Sequence, residues 1–250
     1  MDLALTGKRA LVTGATSGLG AEIARTLAAE GVVVAIGGRD LARAKAVAQS
    51  IRDAGGIAVL ALGDLTDDAA ADACVHAAAD ALGGIDILVN ALGYSPTIGR
   101  GLPDGDWAAA YRALTLPGVR MIHRVAPMLK ESGWGRIIQI ASADALTPAA
   151  VPQSYASAKA AIANMSLGLA KAFSGTGITV NTLSPGLIHT PAYALEDAAG
   201  LIDRHGRQPV AGLAPLKGVA AMAAWLASPL ADHVTGANIR MDGGFSPAIN

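Results

Sequence analysis

A tyrosine and a lysine stand four residues apart in Tyr155-Ala156-Ser157-Ala158-Lys159. On a helix that spacing puts both side chains on one face as neighbours. A free phenol ionises at a pKa of ~10, too high for ready proton exchange near neutrality. A cation beside it favours the phenolate and lowers that value. The pair is therefore suited to give a proton to a carbonyl oxygen or to take one from an alcohol. Upstream, Ser142 ends the apolar run RIIQIAS. Its hydroxyl can hydrogen-bond a reacting oxygen there, or else cap a turn.

A second constellation lies near the start: Thr13-Gly14-Ala15-Thr16-Ser17-Gly18-Leu19-Gly20. It follows an apolar run and opens a pattern with Ile23 and Leu27 on one helical face. Glycines let the backbone turn tightly and approach a phosphate without a Cβ in the way. The helix N-terminus then supplies unpaired N–H groups and a partial positive charge. The segment points to dinucleotide binding; a plain strand-to-helix turn is the alternative.

These residues need a frame. Short apolar runs at 10–12, 32–36, 57–62, 85–89, 137–140, 178–183 and 238–241 are nearly continuous in apolar character, as strands buried on both faces should be. Between them lie helical patterns near 19–29, 41–54, 67–82, 107–131, 153–173 and 217–227. Repeated strand–helix alternation implies right-handed crossovers and a parallel sheet covered on both faces. The expected fold is α/β, one Rossmann-like, doubly wound, seven-stranded domain over residues 1–250, with strand order 3-2-1-4-5-6-7. Loops at 94–106 and 187–215 follow carboxyl ends of strands, the edge where such sheets bind ligands. The second is the expected substrate loop.

Composition sets bounds. Of 250 residues, 52% are hydrophobic and 16% charged, which suits a packed core rather than a disordered chain. The net charge of −1 carries no nucleic-acid footprint. The lone Cys74 can form no internal disulfide or thiolate metal site and reads as a buried hydrophobe. The five histidines (His76, His123, His189, His205, His233) show no metal-ligand spacing. His189 lies in the second loop, where it reads as a substrate contact or an ordinary loop residue. Trp107 and Trp134 read as packing residues. The N-terminus does not read as a signal peptide, and prolines break the long uncharged stretch 172–195. A soluble cytoplasmic protein, with no nucleic-acid or membrane partner, is the expectation.

The glycine spacing Gly-x-x-x-Gly-x-Gly, together with Ser142, Tyr155 and Lys159 in the order Ser-(12 residues)-Tyr-(3 residues)-Lys, resembles the short-chain dehydrogenase/reductase family. So do Pro185-Gly186-Leu187-Ile188-His189-Thr190, Thr235-Gly236 and Asp242-Gly243-Gly244. The likeness spans about residues 6 to 244 and is nearest the 3-oxoacyl-ACP reductase-like branch, which assigns no substrate. It implies a nicotinamide cofactor and hydride transfer between a carbonyl and a secondary alcohol. By resemblance Tyr155 is the general acid/base, Ser142 orients the reacting oxygen, and Lys159 also binds the nicotinamide ribose. Asp64 and Leu65 match the pair beside the adenine, although Asp64 fits a helix-cap role equally well. Asn90-Ala91-Leu92-Gly93 is a degraded Asn-Asn-Ala-Gly. Pro185, Gly186, Ile188 and Thr190 match the segment that holds the nicotinamide carboxamide. Members are usually homotetramers joined through their two long helices.

NADP(H) is expected over NAD(H). An acidic residue ending the second strand would bind a 2′-hydroxyl and repel a 2′-phosphate. Where NAD-dependent members carry that Asp, this chain has Gly38, and Arg39 follows with a guanidinium suited to phosphate. The alternatives are a solvated Arg39 and a ribose contact from Asp40. One departure matters: many members carry a relay Asn where this chain has Leu114, and Leu cannot hold a water. On an ideal helix Thr115 points about 100° away, and Pro117 is placed to distort the helix. The relay is then expected to be shortened or to run through a water on backbone carbonyls. The competing reading is a catalytically silent NADP(H)-binding regulator or scaffold.

Overall fold

The computed structural model describes residues 1–93, 104–148, 151–188 and 208–247, apart from the side chains of 104–106. Seven parallel strands form one sheet in the order β3-β2-β1-β4-β5-β6-β7. They are β1 (Arg9–Thr13), β2 (Val33–Gly38), β3 (Ala58–Leu62), β4 (Ile87–Asn90), β5 (Gly135–Ile140), β6 (Ile178–Pro185) and β7 (Asn238–Met241). The helices are α1 (Gly18–Ala29), α2 (Leu41–Asp53), α3 (Asp68–Leu82), α4 (Asp104–Ala110), α5 (Leu116–Ser132), α6 (Gln153–Ala172) and α7 (Leu216–Ala227). This single Rossmann-like domain has the expected order and class.

The central strands are apolar at successive positions because alternate side chains enter two different cores. Val12, Ile87 and Val89 join Ile23 and Leu27 of α1, Val47 of α2 and Val219 of α7 on one face. Leu11, Leu88 and Ile137 join Cys74 of α3 and Met121, Val125 and Leu129 of α5 on the other. Cys74 is buried as expected, its Sγ 3.1 Å from the Ala61 carbonyl, and burial pushes its thiol up to about 11. Trp134 lies between Lys8 and Arg136, 4.0 and 4.1 Å from its ring centroid, and Arg136 pairs with Asp232.

The structure differs from the sequence pattern in the long helix expected at 107–131. It begins at Asp104 and is interrupted by a π-helical segment, Tyr111–Thr115, before α5. Leu116 N–H bonds the Tyr111 carbonyl, five residues back. Pro117 has no N–H to continue an α-helical ladder, and the turn before it is widened.

Asp67 precedes α3, and its carboxylate accepts the Ala70 N–H at 2.8 Å. Asp67→Ala is expected to lower the unfolding free energy by about 1 kcal/mol without changing cofactor affinity, read by urea denaturation and nucleotide titration.

Candidate active site

Lys159 is 1% exposed, and its Nζ donates to the Leu92 carbonyl at 2.9 Å and the Ile140 carbonyl at 2.8 Å. Ile140 ends β5, and Leu92 lies just beyond β4. Two of the ammonium's three donors thus anchor α6 to the carboxyl ends of two strands. Burial pushes the Lys159 ammonium down to about 8. Its Nζ is 6.0 Å from the centroid of the half-buried Tyr155 ring. The structure therefore brings Tyr155 and Lys159 together on one face of α6.

Ser142 is buried just past β5 and caps a 3₁₀ turn, Ala143–Ala145, that packs against α6. Its Oγ accepts the Asp144 N–H at 3.2 Å and donates to Asp144 Oδ2 at 3.1 Å. The turn-cap role weighed for Ser142 is thus realised, just past the end of β5. Asp144 was not singled out from the sequence; the Ser-x-Asp spacing at a turn is the signal that marks it.

The glycine turn sits at the carboxyl end of β1. Gly14 has φ +67°, and a Cβ there would stand 2.5 Å from the Ala91 carbonyl. A Cβ at Gly20 would run into the Gly14 carbonyl. These glycines let the turn close on itself and against the end of β4, a tighter demand than phosphate approach alone. Gly18 also has positive φ, and Leu19 is buried in the core. Ser17 precedes α1 and makes no side-chain capping bond. That leaves the helix N-terminus suited to an anionic diphosphate.

At the end of β2, the Thr16 methyl fills the space that a Cβ on Gly38 would enter. Arg39, 72% exposed, lies 3.7 Å from the Asp64 carboxylate. Asp64 also accepts the Thr66 backbone and hydroxyl protons at 3.0 and 2.8 Å. The Thr66 N–H holds the Asp64 carboxyl below its ordinary range; burial opposes this, and the Thr66 hydroxyl and Arg39 reinforce it. Asp64 is not the α3 cap, which is Asp67. Asp40 caps α2 by accepting the Arg43 N–H at 3.0 Å. Leu65 is buried in the core beside α3. Thr13 Oγ1 donates to Asn90 Oδ1 at 3.1 Å, while Asn90 Nδ2 and its register neighbour Gln139 Nε2 are buried without a described partner. Ala91 is buried and Gly93 is exposed.

Pro185 ends β6, and Gly186 N–H donates to the Met241 carbonyl at 3.0 Å. A Cβ on Gly186 would stand 2.8 Å from Asp242 Cα. The bounds of the expected substrate loop are joined, since Ile188 pairs with Ala214 and Ala214 N–H donates to the Leu187 carbonyl at 2.8 Å. Thr190 and His189 lie outside the described residues, as does most of the loop at 94–106.

Leu114 is 2% exposed and packs with Ala110, Ala158 and Tyr155. Thr115 does not turn away from α6 as an ideal helix would require. The wider π turn buries it, and its hydroxyl donates to the Ala158 carbonyl at 3.0 Å. Leu114 thus contributes hydrocarbon beside Tyr155, and the adjacent Thr115 hydroxyl ties the π segment to α6.

A parallel sheet with a glycine turn at one strand end and a phenol–ammonium pair at the next two is an arrangement suited to a nucleotide-dependent oxidoreductase. A family model described as enoyl-(acyl carrier protein) reductase matches residues 14–246. The chain is 35% identical over 246 residues to 2,5-dichloro-2,5-cyclohexadiene-1,4-diol dehydrogenase LinX of Sphingobium indicum, covering 98% of each. It is 36% identical over 250 residues to cis-4-hydroxycyclohexanecarboxylate dehydrogenase of Sinomonas cyclohexanicum, covering 98% of this chain and 99% of that one. L-Sorbose reductase of Gluconobacter frateurii, solved with NADPH and L-sorbose, superposes with a TM-score of 0.91 at 29% identity over 100% of both chains. The chain belongs to the short-chain dehydrogenase/reductase family, enzymes that act on CH–OH or C=O groups.

The Lys159 pKa gives a stability prediction. Below about pH 8 the ammonium is protonated both folded and unfolded, and its burial cost is carried in full. Between that value and the unfolded pKa of ~10.4 the unfolded chain binds more protons. The contribution of Lys159 to stability therefore rises with pH across that window. The difference in unfolding free energy between cofactor-free wild type and Lys159→Met is expected to show this slope in urea titrations.

Proposed function

We propose that the protein is an NADP(H)-dependent oxidoreductase that interconverts a secondary alcohol and a carbonyl. The observation that carries this reading is the buried Lys159 ammonium beside Tyr155 at the carboxyl ends of β4 and β5. When bound, the nicotinamide supplies or takes the hydride. Tyr155 gives its phenolic proton to the carbonyl oxygen, or receives the alcohol proton in the reverse direction. Lys159 favours the ionised phenol and turns its remaining donor to the ribose. Ser142 bonds the reacting oxygen. The α1 N-terminus, with Gly14, Thr16, Ser17, Gly18, Leu19 and Gly20 around it, holds the diphosphate. Asp64 and Leu65 flank the adenine; Asn90, Ala91 and Gly93 line the ribose side; and Pro185, Gly186, Ile188 and Thr190 hold the carboxamide.

NADP(H) is favoured over NAD(H) by two features. Thr16 fills the space that an acidic side chain at position 38 would need. Arg39 is exposed, and its surface pair with Asp64 is weak enough to exchange for a phosphate. The NADPH in the L-sorbose reductase structure supports the same choice. Two of the relatives act on ring-borne alcohols by name, which makes cyclic ketones and alcohols the first substrates to test. The segment 187–215 is the substrate loop. Assembly as a homotetramer through α5 and α6 is supported by exposed Leu116, Val119 and Leu167 on those helices. The lone buried cysteine suits the cytoplasm.

NADPH oxidation with a panel of cyclic ketones is expected to show turnover. Tyr155→Phe should lower kcat at least about 100-fold with NADPH affinity retained. Undiminished turnover in that variant would overturn the assignment of Tyr155. Separately, Arg39→Ala is expected to raise KM for NADPH about tenfold and leave KM for NADH nearly unchanged.

A further inference from the structure

Ser142 does not stand alone at the strand end, and the partner it holds determines what its hydroxyl can offer. A hydroxyl has one proton and two lone pairs. The Asp144 N–H occupies one lone pair at 3.2 Å, and Asp144 Oδ2 takes the hydroxyl direction at 3.1 Å. In that second bond the hydroxyl is the donor, so its hydrogen is turned to Asp144. One lone pair is left. An alcohol can donate its O–H to it, whereas a carbonyl oxygen carries only lone pairs and cannot. A carbonyl gains the Ser142 proton only when the serine leaves Asp144, and hydrogen bonds to charged acceptors are the strong ones. Both residues are at most 9% exposed, so water does not readily replace the bond.

We infer that Asp144 is a positioning residue: it fixes the direction of the Ser142 proton, and so makes the resting site bind alcohols more tightly than the matching carbonyls. The inference rests on the reading that Ser142 faces the reacting oxygen. It involves no added proton transfer, since Ser142 keeps its hydrogen throughout and only the bond's direction changes. Polarising the carbonyl requires Ser142 to swing its proton from Asp144 to the substrate oxygen as negative charge builds there. The Ser142–Asp144 bond is thus a restraint on the reaction in both directions and a ground-state preference for one side of it.

The test uses the whole protein with NADP(H), cyclohexanol and cyclohexanone. In Asp144→Ala the ratio of KM for cyclohexanone to KM for cyclohexanol is expected to fall about tenfold. Because the equilibrium constant is fixed, kcat/KM in the two directions should rise by a common factor. In a Ser142→Ala background, adding Asp144→Ala should leave the KM ratio where it was. Asp144→Asn keeps the side-chain shape but offers a weaker, neutral acceptor, and is expected to shift the ratio less and in the same direction. That variant carries the test should Asp144→Ala not fold. An unchanged ratio in both Asp144 variants, or an equal shift with Ser142 already removed, overturns the inference while leaving the role of Ser142 intact. Full activity in Ser142→Ala alone overturns the placement of Ser142 and this inference with it.

Discussion

A buried ammonium is the constraint around which the rest of the site is arranged. Isolated charge is costly to bury, and the cost is contained only by good hydrogen-bond partners. Here the partners are the carbonyls of Leu92 and Ile140, at the ends of β4 and β5. Such carbonyls are available because parallel strands run out of neighbours at their carboxyl edge. The requirement to satisfy Lys159 fixes where α6 starts relative to the sheet, and Tyr155, one turn earlier, follows. The residual strain is expressed chemically, as an ammonium that titrates near 8.

The sheet separates support from chemistry. Alternate residues of β1 and β4 fill two cores and leave no polar group in the strand interiors near the site. Polar side chains gather where the strands end: Thr13 and Asn90 bonded to each other, Gln139 beside them, and Ser142 just past β5. The glycine turn belongs to the same edge. It presses so closely on Ala91 that Gly14 leaves no room for a side chain. The glycine turn and the phenol–ammonium pair are consequently held by adjoining strand ends rather than by separate parts of the chain.

The helix facing α6 shows what one proline and one leucine do. Ahead of Pro117 the backbone widens into a π segment, which turns both Leu114 and Thr115 toward α6. Leu114 packs hydrocarbon against Ala158 and Tyr155, and Thr115 spends its hydroxyl on the Ala158 carbonyl. Tyr155 therefore meets an apolar cluster of Ala110, Leu114 and Ala158 on that side.

Much was legible in the chain alone. Continuous apolar runs alternating with helical patterns determine a doubly wound parallel sheet, because only strands covered on both faces tolerate that pattern. The spacing of Tyr155 and Lys159, and of the glycines after β1, determines which chemistry the chain can do, because helical geometry and glycine stereochemistry are local. The neighbours of those residues were not legible. That Lys159 bonds carbonyls 67 and 19 residues away in sequence, that Thr16 occupies the space beside Gly38, that Asp40 is committed to a helix cap, and that Thr115 turns inward on a π turn were all decided by packing. Each depends on which distant backbone groups are left unpaired once the strands have aligned, and no local sequence pattern encodes that.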